Sequence, residues 1–304
     1  MNLADCTLCP RRCHADRRNA GGFCGAGERA KVALVSLHPW EEPCLVGEKG
    51  AGTVFFSHCS LRCCYCQNYE ISHEGNGVEV SDERLAGIFL EQQERGAAVL
   101  DLVTPTHYAP QILSALDMAK KGGLHLPVVW NSSGYETVET VDALRGYVDI
   151  FLPDLKYKDP ETAGDYSAAP DYFHVASAAI RRMVGQVGPV VMDGAGGMRR
   201  GVLVRHLVLP GCRHESMELL DWLWQEFGDG IQISLMSQYT PMYKAAGHRN
   251  LGRRLTTFEY ESVADHARSL GITHCYIQER RAASEEYVPK FDGTGVACCP
   301  EKKG

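Results

Sequence analysis

Residues 52–66 read GTVFFSHCSLRCCYC, a short apolar run that leads directly into a cluster of cysteines. The apolar start has the composition of a buried β-strand, so the cysteines are expected in the loop that leaves this strand. Cys59, Cys63 and Cys66 stand at CxxxCxxC spacing. Three thiolates in one loop can hold three corners of a cubane iron–sulfur cluster, whose irons are normally bound by cysteine. Without a fourth protein ligand one iron stays open, as does the vacant position of a catalytic zinc site.

Other roles are open to the same cysteines. A zinc site usually has a second CxxC or HxxxH pair at moderate spacing, and none stands between Gln67 and Lys156. A disulfide pair and buried packing thiols are the remaining alternatives. The spacing favours an iron–sulfur cluster over zinc, and zinc over packing. Cys64, which lies between two of the candidate ligands, is not needed in this ligand set.

The motif resembles the signature of the radical S-adenosylmethionine enzymes, with the aromatic Tyr65 before the last cysteine. The continuation in residues 66–72, CQNYEIS, resembles the branch related to pyruvate formate-lyase activating enzymes. The resemblance implies a [4Fe-4S] cluster on Cys59, Cys63 and Cys66. Its open iron would be chelated by the amino and carboxylate groups of S-adenosylmethionine. The reduced cluster would then cleave the sulfonium and yield a 5′-deoxyadenosyl radical, with flavodoxin or ferredoxin as electron donor.

The resemblance to activating enzymes implies an oxidoreductase that abstracts hydrogen from a glycine of a partner protein. One alternative is the same radical chemistry on another substrate, such as a small molecule, a peptide side chain or an RNA base. A second alternative, from another class, is a zinc-holding scaffold without catalysis. The chain carries no substrate-specific motif that separates the first two.

Composition limits the choices further. The chain has 304 residues with 44% hydrophobic and 23% charged side chains, which is ordinary for a soluble globular protein. No apolar run approaches the roughly 20 residues of a membrane span, and residues 1–5 lack the pattern of a signal peptide, so a cytoplasmic location is expected. The net charge of −7 argues against a nucleic-acid partner. Its 13 cysteines are clustered, which in a reducing compartment favours metal binding over disulfides.

A second group of cysteines occupies residues 1–30, which we expect to form a small metal-binding segment. Its candidate ligands are Cys6, Cys9, Cys13 and Cys24. Four thiolates with little hydrophobic material suggest that a metal orders the segment. Zinc and a second iron–sulfur cluster use the same ligands, and the sequence does not separate them. Related radical enzymes begin with a similar CxLCPxxC segment. The nearby arginines are expected to form a solvated basic face: Arg11, Arg12, Arg17 and Arg18. The alternative is that they offset the negative charge of a thiolate site or of a partner.

From Gly52 onward, short apolar strands alternate with amphipathic helices. This alternation predicts an α/β fold with a parallel sheet wrapped by helices. Six or seven units fall short of eight, so an open, partial barrel of the (βα)6 type is expected, as the resemblance also implies. The predicted domains are the segment 1–30, the barrel 31–290 and a tail 291–304. Strands are predicted at 31–37, 52–56, 99–103, 126–130, 149–152, 202–209, 231–236 and 275–278, and helices at 81–93, 110–121, 137–145, 173–187, 215–227 and 257–270.

Polar residues follow several predicted strands, where parallel barrels collect their chemistry. Thr104, Thr106 and His107 stand where activating enzymes carry a glycine–glycine–glutamate turn for the cofactor's amino group, so only the position is carried over. Asn131 and Ser133 stand where the family places polar cofactor contacts. The alternative at both places is an ordinary polar turn or helix cap.

Two further strands carry charged or titratable candidates. Asp154 and Lys156 resemble the family's aspartate–x–lysine motif, and a carboxylate beside an ammonium can grip a zwitterion. A structural ion pair is the alternative. His206 precedes a stretch that resembles the family's valine–proline–glycine strand, where a histidine contacts the cofactor. Because it alternates with Leu207, we expect it to face the barrel interior, although a lone histidine on an apolar strand is more often a satisfied core group.

Overall fold

A computed structural model describes residues 2–278 and 289–297, and the Cys298–Cys299 doublet lies outside these residues. One sheet of ten strands runs through the described chain, in the order β10-β9-β8-β6-β5-β4-β2-β1-β3 with β7 paired to β8. The strands are β1 (Ala30–His38), β2 (Ala51–Phe56), β3 (Val78–Val80), β4 (Leu100–Val103), β5 (Val128–Ser132), β6 (Ile150–Pro153), β7 (Val191–Met192), β8 (Met198–Leu207), β9 (Gln232–Met236) and β10 (Cys275–Ile277).

Seven of these strands run parallel to their neighbours, from β2 through β4, β5, β6, β8 and β9 to β10. β1 lies antiparallel beside β2, and β3 pairs with the other edge of β1. Within the described residues β10 and β3 stay unpaired with each other, so the curved sheet is open. The predicted α/β class with an open parallel barrel is therefore confirmed.

Helices connect the parallel strands. Their bounds are α1 (Pro43–Val46), α2 (Tyr69–Ser72), α3 (Asp82–Glu94), α4 (Ala109–Lys121), α5 (Val138–Ala143), α6 (Pro160–Ser167), α7 (Tyr172–Val187), α8 (Arg213–Phe227) and α9 (Thr257–Ser269). α3 begins within one residue of the predicted start at residue 81. The Ser81 hydroxyl accepts the Arg84 N–H at 3.2 Å and so acts as the N-cap. Among the described residues no helix is both long and apolar enough to cross a membrane.

The structure adds elements that the sequence pattern did not predict. α6 begins after Asp159, whose carboxylate caps the helix by accepting the Thr162 N–H at 2.9 Å. β8 starts at Met198, four residues before the predicted position, because Met198 and Arg200 pair with the exposed strand β7 in an antiparallel hairpin. Neither addition alters the order of the parallel strands.

The barrel interior is layered, and the layers position the functional site. At the amino ends of the strands an apolar layer that includes Val129, Ile150 and Leu203 packs against α1, whose Leu45 closes this end. Closer to the carboxyl ends of the strands, inward side chains such as Asn131 and Arg205 are polar. The carboxyl ends then open into the loop of residues 57–68. The described C-terminal residues return to β1, where the Val35 N–H donates to the Thr294 carbonyl at 2.9 Å.

Candidate active site

The carboxyl ends of the strands and the cysteine loop enclose a cavity of about 730 Å³. Its walls come from β2, β4, β5, β8, β9 and β10 and from the residues that follow β6, from the connection between β1 and β2, and from Pro289 near the C terminus. This volume lies in the range of pockets that take drug-sized ligands. The cavity therefore collects side chains from sequence positions more than 200 residues apart.

The cysteine loop is sharply bent. His58 and Arg62 have positive φ angles of 73° and 57°, which non-glycine residues adopt only when their surroundings enforce it. Gly75 lies against the His58 ring at φ 70°, and a Cβ at this position would overlap the ring. Tight packing around His58 thus holds the bend that turns the loop back over the strand ends.

As a result of this bend, Cys59, Cys63 and Cys66 all line the cavity, whereas Cys64 does not. The Cys64 N–H donates to the Tyr166 carbonyl at 2.8 Å, and its carbonyl accepts the Lys244 N–H at 3.0 Å. Cys64 is held among neighbouring loops by its backbone. The three cysteines at signature spacing share one space, and the fourth stays apart from it.

Hydrogen-bond donors reach each of the three sulfurs. The Ser167 hydroxyl donates to Cys63 Sγ at 3.0 Å, and the Ser72 hydroxyl donates to Cys66 Sγ at 3.2 Å. The Leu61 N–H lies 3.4 Å from Cys59 Sγ. Donors of this kind stabilise negative sulfur, as in a thiolate bound to metal.

Burial disfavours the charged form of two of these thiols. Burial raises the pKa of Cys66 to about 12, and the neighbouring Cys63 adds to the shift. Burial and Cys63 likewise raise the pKa of Cys59. Buried thiols with raised pKa values become thiolates at neutral pH when a metal compensates the charge. Among the described residues, no three Cys, His, Asp or Glu side chains converge on one point as ligands of a single metal ion. A cubane spreads three ligands over three irons, and three thiols on one cavity wall, each with a donor, fit that group.

Next to the cysteines lies a cluster of charges. The Lys156 ammonium donates to Asp154 Oδ2 at 2.7 Å, and Arg205 Nε donates to Asp154 Oδ1 at 3.1 Å. Arg205 also contacts Glu41 at 3.3 Å. Burial alone would raise the pKa of Asp154, but the two cations outweigh it and hold that pKa below its usual value. Asp154 is therefore ionised, and it in turn raises the pKa of Lys156 against the effect of burial.

Polar side chains of the central strands extend this cluster. Arg205 Nη2 donates to Asn131 Oδ1 at 2.6 Å, and the Asn131 amide donates to Asp101 Oδ2 at 3.3 Å. Thr104 and Ser133 line the cavity beside Asn131. Thr104 adopts a positive φ of 58°, a sign of local strain at the end of β4. The structure thus brings Thr104, Asn131 and Ser133 together with the ion pair, and their role in cofactor binding stays a prediction.

Two of the candidate residues, Thr106 and His107, lie elsewhere. Thr106 donates its hydroxyl to Glu136 at 2.9 Å, and His107 Nε2 bonds to the Ser57 carbonyl at 2.8 Å. Neither side chain lines the cavity. The chain makes a short 3-10 turn at Thr106–Tyr108, which directs these side chains into the surrounding packing.

The expected inward orientation of His206 is wrong. Its ring bonds to the Leu155 carbonyl at 2.6 Å and to Ser216 of α8 at 2.9 Å, so both nitrogens are occupied outside the cavity. Burial lowers its pKa to about 4, which keeps the imidazole neutral. Side chains alternate along β8, and it is Arg205 and Leu207 that line the cavity.

Sequence reasoning missed three charged residues of this site. Arg205 shares a face with Leu207, but the alternation alone does not say which face of β8 points into the barrel. Glu41 and Glu42 come from the connection between β1 and β2, which has no periodic pattern, so no signal marked them. Burial, with Glu41 close by, raises the pKa of Glu42 to about 7.

The N-terminal cysteines form a separate group. Cys6, Cys9 and Cys24 are buried, whereas Cys13 is exposed. Burial raises the pKa of Cys9 to about 12, with Cys24, Cys6 and Cys13 adding to the shift. A metal at these residues stays a prediction.

The expectation of a solvated arginine face in this segment is partly wrong. Arg17 is only 2% exposed, and its guanidinium donates to the carbonyls of Ala26, Gly27 and His107. The Arg11 guanidinium also donates hydrogen bonds to the backbone carbonyls of Ser60 and Ser167. The reason is that loop segments leave carbonyls without helix or sheet partners, and a guanidinium has five donors to satisfy them. Arg12 and Arg18 are exposed, as predicted.

The fold and the site together define an open parallel α/β barrel with a three-cysteine loop and a charge cluster on one cavity. No family model matches the chain. It is 29% identical over 283 residues to an uncharacterized protein of Methanocaldococcus jannaschii, covering 90% of this chain and 77% of that protein. It is 27% identical over 136 residues to the pyruvate formate-lyase-activating enzyme of Clostridium pasteurianum, covering 43% of this chain and 56% of that protein.

Solved structures with partial similarity were also found. Streptococcus suis SuiB bound to the precursor peptide SuiA has a TM-score of 0.46 at 13% identity, covering 73% of this chain and 46% of that chain. Native anSMEcpe with bound AdoMet has a TM-score of 0.46 at 11% identity, covering 69% of this chain and 57% of that chain. This chain thus spans about half the length of the solved structures that it matches.

Proposed function

We propose that the protein is a radical S-adenosylmethionine enzyme with a [4Fe-4S] cluster on Cys59, Cys63 and Cys66. One observation carries the proposal. The three cysteines at signature spacing line the same cavity as the ion pair of Asp154 and Lys156. Cofactor-binding charges and thiol ligands must share one space in such an enzyme, and their sequence positions alone did not guarantee this.

The charged residues have complementary roles in this proposal. Lys156 binds the carboxylate of S-adenosylmethionine, and Asp154 binds its ammonium or a ribose hydroxyl. Opposite charges meet in these contacts, and charge-assisted hydrogen bonds are stronger than those between neutral groups. Arg205 holds Asp154 through its own hydrogen bond at 3.1 Å and keeps the carboxylate oriented. Thr104, Asn131 and Ser133 supply further polar contacts. When bound, the cluster and S-adenosylmethionine supply one-electron cleavage to a 5′-deoxyadenosyl radical.

The remaining walls of the cavity suit radical chemistry. Phe55, Val103, Leu207 and Met236 place apolar surface around the carboxyl ends of the strands. Apolar walls exclude water and restrict which C–H bond of a substrate reaches the reacting atoms. The cofactor carries the difficult step, and the chain supplies position and exclusion.

The finer proposal is that the substrate is a glycine of a partner protein. The partial similarity to the pyruvate formate-lyase-activating enzyme supports it. The turn at Thr104–Pro105–Thr106 departs from the glycine–glycine–glutamate pattern of that branch and marks where cofactor binding would differ. We further propose a cytoplasmic location with flavodoxin or ferredoxin as electron donor, and zinc or a second iron–sulfur cluster on the N-terminal cysteines.

The test is anaerobic turnover. Protein reconstituted with iron and sulfide is reduced, incubated with S-adenosylmethionine, and assayed for 5′-deoxyadenosine and methionine. Formation of both products above a cluster-free control supports the radical step. A protein that binds iron but forms neither product would refute it. Glycyl-radical formation is tested separately, by electron paramagnetic resonance of a candidate partner after incubation.

A further inference from the structure

Behind Cys63 runs a buried chain of hydroxyl groups. The Tyr65 and Tyr157 hydroxyls are 2.7 Å apart, the Tyr157 hydroxyl is 2.7 Å from Ser167 Oγ, and Ser167 Oγ donates to Cys63 Sγ at 3.0 Å. All four residues are buried. Each hydroxyl has one hydrogen to give, so the donation to sulfur sets the direction of the chain. Tyr157 must donate to Ser167, and Tyr65 must donate to Tyr157.

The N-terminal segment fixes the position of Ser167. Arg11 Nη2 donates to the Ser167 carbonyl at 2.8 Å, and Arg11 Nε donates to the Ser60 carbonyl inside the cysteine loop at 3.0 Å. The same guanidinium lies 4.3 Å from the centre of the Phe23 ring. One side chain therefore ties the end of α6 to the loop that carries the three cysteines.

We propose that Ser167 is a positioning residue that sets the reduction potential of the cluster through its hydrogen bond to the Cys63 sulfur. The inference rests on the proposed function and adds a residue outside the cysteine motif. Reduction adds negative charge to the cluster and its sulfurs, and a hydroxyl donor stabilises that charge and raises the potential. The effect is large where water is absent, and successive donors polarise one another. Tyr157 strengthens the donor, and Arg11 keeps it in place.

The second hydroxyl donor provides an internal comparison. Ser72 donates to Cys66 Sγ at 3.2 Å, and its Oγ lies 2.9 Å from His73 Nδ1. Ser167 is closer to its sulfur, at 3.0 Å, and it is less exposed, at 2% against 6% for Ser72. Loss of Ser167 should therefore shift the potential more than loss of Ser72.

The experiment is a redox titration of the reconstituted holoprotein, followed by the electron paramagnetic resonance signal of the reduced cluster. Ser167→Ala should shift the midpoint potential to a more negative value. Ser72→Ala should shift it less, and Tyr157→Phe should shift it in the same direction by a smaller amount than Ser167→Ala. Ser167→Thr keeps the hydroxyl and should return the potential toward wild type. Ser177→Ala, whose hydroxyl bonds to the His174 carbonyl on α7, is the matched control and should leave the potential unchanged.

The outcomes separate this inference from the proposed function. An intact cluster with the wild-type potential in both Ser167→Ala and Tyr157→Phe overturns the inference and leaves the radical enzyme proposal standing. Should Ser167→Ala fail to fold, Tyr157→Phe alone decides, and an unshifted potential counts against the inference. A wild-type protein that takes up no cluster overturns both.

Discussion

The chain has two groups of cysteines, and they lie in different environments. Cys59, Cys63 and Cys66 line a cavity of about 730 Å³ beside buried charges. The group of Cys6, Cys9, Cys13 and Cys24 lines neither that cavity nor the smaller one near Pro10, within the described part of the chain. Both groups contain buried thiols with raised pKa values. What distinguishes the loop group is therefore its surroundings, and not the acidity of its thiols.

The spacing of the cysteines and their position in the fold therefore carry separate information about function. Both groups contain CxxC spacing, which is compatible with zinc or iron–sulfur ligation. Only the loop group follows a parallel strand and faces the barrel interior, where this kind of fold collects its chemistry. The N-terminal group instead connects to the barrel through Arg11 and Arg17, which bind backbone carbonyls of other segments. We assign reactivity to the first group and a structural role to the second.

The largest effect is expected from removing the loop ligands. The triple replacement of Cys59, Cys63 and Cys66 by alanine should abolish cluster binding and 5′-deoxyadenosine formation, since no protein ligand would remain in the loop. The measurements are iron content, visible absorption and product yield. Cys64→Ala is the matched control and should keep all three. Retention of the cluster in the triple variant would show that the ligands are elsewhere.

Lys156→Ala should weaken binding of S-adenosylmethionine by about 3 kcal/mol, roughly 150-fold, because truncating one member of a buried, hydrogen-bonded charge pair is costly. Calorimetric titration of the reconstituted protein measures the change in Kd. Lys158→Ala is the control, since this neighbouring lysine pairs with Glu218 at the surface. Equal affinity for S-adenosylmethionine in the two variants would show that Lys156 does not bind the cofactor.

Glu42 makes stability at the cavity depend on pH. Its folded-state pKa of about 7 lies above the ordinary value of 4.5 because of burial and the charge of Glu41. The folded state then holds its proton more tightly than the unfolded state, so stability falls as pH rises from about 4.5 to 7. Glu42→Gln should remove up to about 3 kcal/mol of this loss. Its free energy of unfolding relative to wild type should increase between pH 5 and pH 8.

The matched control for this measurement is Glu48→Gln, an exposed residue on the same connection between β1 and β2. Denaturant unfolding at several pH values gives the free energies. A constant difference between Glu42→Gln and wild type across the range would contradict the buried position of this carboxyl group.

The N-terminal group should contribute to stability and leave the loop cluster in place. Cys9→Ala combined with Cys24→Ala should lower the free energy of unfolding by about 2 kcal/mol, a fall of roughly 4 °C in Tm for a chain of this size. Zinc or iron at the segment should be lost, and the radical chemistry should persist. Cys212→Ala, an isolated half-buried cysteine, is the control. Loss of the loop cluster in the double variant would contradict the proposal that the two cysteine groups have separate roles.

Local signals predicted the parts of the site that depend on short spacing. Cys59, Cys63 and Cys66 share a loop, and Asp154 and Lys156 share a strand end, so their proximity follows from the chain itself. His206 and Arg205 show where this fails. β8 is buried on both faces, as parallel strands are, and an apolar run on both sides does not reveal which face points inward. Only the structure gives the phase of the strand, in which His206 bonds to Ser216 of α8 and Arg205 bonds to Asp154 in the cavity.

Contributions from distant loops were beyond sequence reasoning for another reason. Glu41 reaches Arg205 across 164 positions, from a connection that enters the interior through the amino end of the barrel. No periodicity marks such a segment. Arg11 and Arg17 looked like surface residues because arginine usually is one. Their burial depends on carbonyls that become available only when separate loops meet.

The most direct test of the open iron is the effect of S-adenosylmethionine on the reduced cluster. Adding it to the anaerobic, reduced protein should change the electron paramagnetic resonance signal. Cofactor labelled in its amino nitrogen and carboxylate should show hyperfine coupling to the cluster. A spectrum that stays the same with saturating cofactor, with no coupling to the labels, would mean that no iron is available to it and would contradict the central claim.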